Sequence, residues 1–196
     1  MTHKDTFKEL LSGITRNGIE NLAIYLEEQS DFYTAPCSTK YHLAVPGGLL
    51  LHSLNVNKLL AAKDKSYGLN INPESLLICS LLHDICKVNF YGTELKWRKD
   101  ERNQWESYEE SYEAIIINDQ FPIGHGEKSV IILQQFIHLT IEEQLAIRWH
   151  MGPWVDGFAS YAQQQAYYAA VKKSPLIPAL YAADYEAIFI FEKEAK

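Results

Sequence analysis

Apolar positions along the chain recur mostly at helical spacing, with one stretch that breaks the pattern. Two short helices are predicted at 5–11 and 19–28, where apolar residues return every three or four positions and form a packing lid. Pro36, Pro46 and the Gly47-Gly48 pair then mark residues 30–48 as a loop that ends where a helix of about 49–63 begins. The next helix starts with Asn72 as N-cap and Pro73 at the first helical position, and runs to about residue 87. Leu76-Leu77-Ile78-Cys79-Ser80-Leu81-Leu82 is apolar nearly all round, which predicts a helix at the centre of a bundle.

Between residues 88 and 124 the helical period is lost. Leu95 to Lys99, a polar turn at Asp100 to Asn103, and Gln104 to Tyr108 read as a β-hairpin with Trp97 and Trp105 on its two arms. Helices resume at about 126–138, 141–151, 160–172 and 175–192. Thr140 with Glu143 forms a capping box for the second of these, and Ser174 precedes Pro175 at the start of the last. The predicted fold class is all-α: a helical bundle in one domain, 1–196, with N-terminal helices in 1–30 and a β-hairpin insertion at 88–124.

Composition changes this picture little. A chain of 196 residues, 47% hydrophobic and 22% charged, can bury a sizeable core and lacks the signature of disorder. Its formal net charge of −7 supplies no global positive field for a long phosphate backbone and favours small ligands. The polar start, Met1 to Thr6, has no apolar stretch like a secretory signal, and no run approaches the ~20 apolar residues of a membrane span. The expectation is a cytoplasmic protein without membrane contact. Cys37, Cys79 and Cys86 are odd in number and widely spaced, which fits reduced thiols; Cys79 reads as a buried small hydrophobe.

The candidate chemistry lies in histidines and aspartates. His52, His83, His125 and His150 fall one per helix, near helix ends or first turns, in apolar or Gly-containing contexts. Imidazole and carboxylate suit divalent transition metals, and Asp84, adjacent to His83, is a candidate bridge between two ions. Neighbouring helix residues project about 100° apart, so His83 and Asp84 converge only near a helix end. Lys87, three residues on, can bring an ammonium to a phosphate oxygen. Asp184 is an acid inside an apolar helix and needs a partner. His3 and His138 have no supporting context and read as surface residues.

These residues, in this order, resemble the signature of the HD superfamily of metal-dependent phosphohydrolases. Pro46-Gly47-Gly48-Leu49-Leu50-Leu51-His52-Ser53 is similar to its Gly-Gly-Leu and His-Ser segment, Leu82-His83-Asp84-Ile85-Cys86-Lys87 to His-Asp-Ile-Gly-Lys, and Ala182-Ala183-Asp184 to the closing Ala-Asp. Cys86 stands where Gly is commonest. The resemblance implies an HD-domain bundle in which His52, His83, Asp84 and Asp184 hold a first metal. Asp84 would bridge to a second held by His125 and His150, since single-metal members lack those two histidines. The cofactor is then one or two divalent ions: iron, manganese, magnesium, nickel or cobalt. Such a centre lowers the pKa of water enough to supply hydroxide for in-line attack on phosphorus, with Asp84 and Lys87 as the catalytic side chains.

The implied substrate is a phosphate ester, a nucleotide or small phosphorylated metabolite. One alternative is a nuclease or phosphodiesterase of the same superfamily acting on single-stranded nucleic acid. The other is a di-iron oxygenase of this fold, similar to myo-inositol oxygenase. Lys87, His42, Arg148 and Trp97 are the candidate substrate contacts. His42 reads equally as a solvated loop residue, and Arg148 as facing solvent. Trp97, Trp105, Tyr108, Lys96, Arg98, Lys99 and Arg102 could stack a base and meet phosphates, or simply pack across the hairpin. Trp149 and Trp154 repeat that aromatic and basic pattern beside His150, and Glu127 reads as a helix-start acid or a contact behind a ligand. Oligomeric state is left open.

Overall fold

The computed structural model describes residues 1–39, 41–114, 121–153 and 160–192, with the backbone alone for 93–96 and 108–114. The expected Trp154 contact lies outside the described residues, and the side chains of Lys96 and Tyr108 lie outside them as well.

The described residues form eight α-helices and one two-stranded sheet, the all-α bundle with a small β insertion that the sequence predicts. Helix α1 is His3–Leu11 and α2 is Ile19–Ile24, continued by a π-turn at Tyr25–Gln29. Phe7, Leu11, Leu22 and Leu26 are buried, so these helices belong to the core and are more than a lid. Helix α3, Gly48–Tyr67, outruns its expected end. Helix α4, Pro73–Leu82, starts as expected, with the Asn72 side chain accepting from the N–H groups of Glu74 and Ser75. Its residues Ile78 to Leu82 are all buried where it packs against α1 and α3.

Strands β1, Tyr91–Lys99, and β2, Trp105–Ala114, form the antiparallel hairpin, longer than predicted and irregular between Leu95 and Trp97. The turn is held by the Asp100 carboxylate, which accepts from the N–H groups of Arg102 and Gln104. Helices α5, His125–Gln134, α6, Ile141–Arg148, α7, Tyr161–Val171, and α8, Leu176–Glu186, complete the bundle. Helix α8 packs against both α3 and α6, and α5 against α6. Among the described residues no helix is long and apolar enough to cross a membrane.

Three helices stop sooner than the periodicity predicts. Helix α4 ends at Leu82 and gives way to a 3₁₀ turn at Ile85–Lys87; α5 ends at Gln134; α6 ends at Arg148. The α4 and α6 breaks lie at His83-Asp84 and His150, and they serve the site described below.

A buried clamp joins the loop after α1 to the starts of α4 and α6. Glu143 is fully buried, takes Arg16 Nη1 at 2.6 Å and the Ser75 hydroxyl at 2.7 Å, and caps its own helix through the Thr140 N–H. Burial pushes the Glu143 carboxyl up, but the hydrogen bonds from Arg16, Ser75 and Thr140 outweigh it and leave it below the ordinary value. Arg16→Ala strands that carboxylate, and stability is expected to fall by about 3–5 kcal/mol, read from the urea midpoint at constant slope. Because the folded pKa is lowered, the clamp stabilises above the unfolded carboxylate value and is lost as pH falls through the folded one. The gap between wild type and variant therefore closes in acid.

Candidate metal centre

Five imidazoles follow one another through the interior in the order His42, His52, His83, His150, His125. Successive ring centroids are 5.1, 5.3, 4.8 and 5.5 Å apart. Each reaches this row through a local feature of the chain. His52 is on the second turn of α3, fully buried. His83 caps α4, and Asp84 follows with φ −104° and ψ 18°, a sparsely populated conformation that ends the helix and turns the carboxylate to the same side as the His83 ring. His150 lies in the turn beyond α6. His125 opens α5, and Gly126 allows it in: a Cβ there would lie 2.3 Å from the Arg148 carbonyl oxygen, so only glycine lets α5 approach the end of α6. Gly48 does the same for the His42 loop, since a Cβ would lie 2.1 Å from the Leu43 carbonyl oxygen.

The ring nitrogens are oriented from behind. His83 Nδ1 donates to the Ser80 carbonyl at 3.1 Å and His150 Nδ1 to the Ile147 carbonyl at 2.6 Å. His52 Nδ1 donates to Glu192 at 3.0 Å, and Glu192 is held in turn by the Asn55 amide at 2.9 Å. Each Nε2 thereby faces the carboxylates. His52 Nε2 is 3.0 Å from Asp184 Oδ1 and 3.3 Å from His83 Nε2.

Asp84 presents its two oxygens to different sides. Oδ2 lies 3.6 and 3.5 Å from the Nε2 atoms of His52 and His83, and Oδ1 lies 2.6 and 3.4 Å from those of His125 and His150. Lys87 Nζ, buried, donates to Oδ2 at 2.7 Å.

A divalent ion fits these residues. His150 Nε2 is buried with no hydrogen-bond partner, a costly arrangement unless something accepts its lone pair. His52, His83 and Asp184 form one group able to hold an ion, and His83, Asp84 and His150 another. Electrostatics agree. Burial raises both the Asp84 and Asp184 carboxyls, but Lys87, His83 and His125 hold Asp84, and His52, His83 and His150 hold Asp184, below the ordinary range. Burial, aided by His150 and His52, pushes His83 down to about 3, so that ring is neutral and free to ligate. Burial opposes charge on His125, yet Cys86 and Asp84 hold it at about 10.

All six ligand candidates named from the sequence are thus brought together, with Lys87 among them. His42 also joins: its Nε2 is 3.2 Å from Cys37 Sγ, and burial, with Lys87 and His52, lowers it to about 4. Arg148 instead pairs with Glu127 and stacks on Trp149, 4.1 Å from the ring centroid. Trp97 lies on the outer hairpin, 57% exposed, on the same face as the 65% exposed Trp105 and diagonal to it. It is not part of the cluster. His3 and His138 are exposed, and Cys79 is buried in the core, as expected.

Glu192, Asn55 and Cys37 went unforeseen. Glu192→Gln weakens the hold on the His52 tautomer, and the affinity of the pocket around His52 for a divalent ion is expected to drop by about 10–100-fold in calorimetric titration.

Comparison with known proteins adds a family and a relative. The HD domain model matches residues 49–187. The dihydroneopterin 2′,3′-cyclic phosphate phosphodiesterase of Methanocaldococcus jannaschii is 32% identical over 81 residues, covering 39% of this chain and 30% of that protein. The chain therefore aligns with less than a third of that relative's length. No solved structure matches. HD domains bind divalent metals, and the His/Asp groups here could hold one.

Proposed function

The chain belongs to the HD domain family, and from that premise we propose that it is a metal-dependent phosphohydrolase that cleaves a phosphate ester of a nucleotide or similar small metabolite. The observation that carries this reading is Asp84, one carboxylate whose two oxygens address two separate histidine pairs. In it, His52, His83 and Asp184 would hold one ion, His125 and His150 the other, and Asp84 would be shared between them.

Divalent ions bound there supply Lewis acidity toward phosphoryl oxygens and lower the pKa of water toward neutrality. The chain's own groups do the rest. Lys87, held charged by Asp84 although burial opposes it, places a fixed ammonium where a phosphate would add negative charge. His42 stays neutral at physiological pH and can exchange a hydrogen bond with a substrate oxygen without adding charge. Burial of His52, His83, His150 and Asp184 keeps bulk water from the inner side of the site, where each electrostatic contact is stronger for it.

The relative's name, a cyclic phosphate phosphodiesterase, supports a small phosphoester as substrate. The test is turnover by manganese-, cobalt- and iron-loaded protein of nucleotides, nucleoside 2′,3′-cyclic phosphates and short oligonucleotides. Release of phosphate or ring opening of a small ester is the expected result. Salt-sensitive cleavage of the oligonucleotides alone would move the substrate to single-stranded nucleic acid. Oxygen uptake by the iron form without hydrolysis would overturn the reading.

A further inference from the structure

Two further groups able to hold an ion contain a sulfur, Cys37 with His42 and His52, and Cys86 with Asp84 and His125; in each, the ligand atoms all lie within 4.8 Å of one another. Cys86 sits in the 3₁₀ turn after the His83-Asp84 break, only 5% exposed. Its N–H donates to the Ser129 hydroxyl of α5 at 3.3 Å, which fixes the turn against the helix that carries His125. Its Sγ lies 3.4 and 3.5 Å from the two ring nitrogens of His125. His125 Nε2 in turn touches Asp84 Oδ1, the same oxygen that the buried, partnerless His150 Nε2 faces at 3.4 Å.

We propose that Cys86 Sγ is a ligand of the ion held by Asp84, His125 and His150, so that the two pockets differ in chemistry: nitrogen and oxygen around His52, nitrogen, oxygen and sulfur around His125. The inference rests on the metal-centre reading above and deepens it. On binding, the Cys86 S–H bond breaks, its proton leaves to solvent, and a metal–sulfur bond forms; no electron is transferred. One thiolate, the Asp84 carboxylate and two neutral imidazoles suit a borderline-soft cation such as zinc(II) or cobalt(II) better than magnesium. Cys37 belongs to a different group: its Sγ faces His42 Nε2 at 3.2 Å and the Lys87 ammonium at 3.4 Å, on the His52 side of the row and away from His125 and His150.

Cobalt(II) titration of the full chain tests this spectroscopically. The expected result is visible ligand-field absorption together with a near-ultraviolet sulfur-to-cobalt charge-transfer band. That band vanishes in Cys86→Ser and survives in Cys37→Ser, while cobalt affinity of one pocket in Cys86→Ser falls ~10-fold or more. Cys86→Gly, which removes the side chain altogether, gives the same loss should Ser perturb the turn. Ligand-field absorption without the charge-transfer band, or a band that persists in both Cys86 variants, overturns the role of Cys86 and leaves the metal centre standing. Failure of wild type to bind cobalt overturns both.

Discussion

Asp84→Asn is expected to lower phosphoester hydrolysis by more than about 10³-fold, and to reduce the number of divalent ions held per chain. Asparagine matches aspartate in size, so the change is one of charge and donor pattern. The amide offers one oxygen instead of two and turns an N–H₂ toward one of the two histidine pairs that Asp84 now serves. Either pocket can keep a ligand, but not both. The same substitution removes the anion beside Lys87, whose ammonium is buried and bonded to Asp84 Oδ2 at 2.7 Å. Breaking such a pair costs about 3–5 kcal/mol of stability. The double variant Asp84→Asn, Lys87→Met removes both charges, regains much of the lost stability in urea unfolding, and stays inactive. Metal stoichiometry by elemental analysis separates the two effects. Full stoichiometry and activity in Asp84→Asn would remove the bridging role.

The six candidate ligands that the fold brings together were legible in the sequence because each lies in a short motif whose order along the chain is distinctive. Glu192 was not, and the reason is geometric. Eight residues of regular α-helix carry a side chain about 80° around from Asp184, off the site-facing side. The π-turn at Ala187–Phe191, closed by the Glu192 N–H on the Ala187 carbonyl, adds one residue to the turn and returns Glu192 to within about 20° of that side. No periodicity marks such a widening beforehand. Cys37 escaped for a different reason. It reaches Lys87 and His42 only because the loop doubles back, the Cys37 N–H bonding the Leu43 carbonyl directly over Gly48. Trp97 shows the converse: aromatic and basic residues shared a segment, but the hairpin's pairing with itself holds Trp97 in solvent.

Loading with a divalent ion near neutral pH is expected to expel at least two protons per chain. Metal-free His52 is fully buried, which opposes charge, yet Cys37, Asp184 and Glu192 hold it well above its ordinary pKa. His125 is held at about 10. Both positions thus carry a proton where the ions would bind, and each proton must leave first. The Cys86 thiol supplies a further one in the arrangement proposed above. The apparent affinity of each pocket then climbs by about 10-fold per pH unit for every proton its ion displaces, measured by calorimetry in two buffers of different ionisation enthalpy. Stability separates in opposite directions. In the metal-free chain the raised imidazoles contribute stability below their unfolded value near 6.5, and that contribution is lost as pH rises through the folded values. In the loaded chain, an ion at 100 times its Kd adds about 2.7 kcal/mol, and rising pH lowers Kd further. The difference in Tm between loaded and chelated protein should therefore widen with pH. A constant difference, with no proton released, would mean that the ion is bound somewhere other than at His52 and His125.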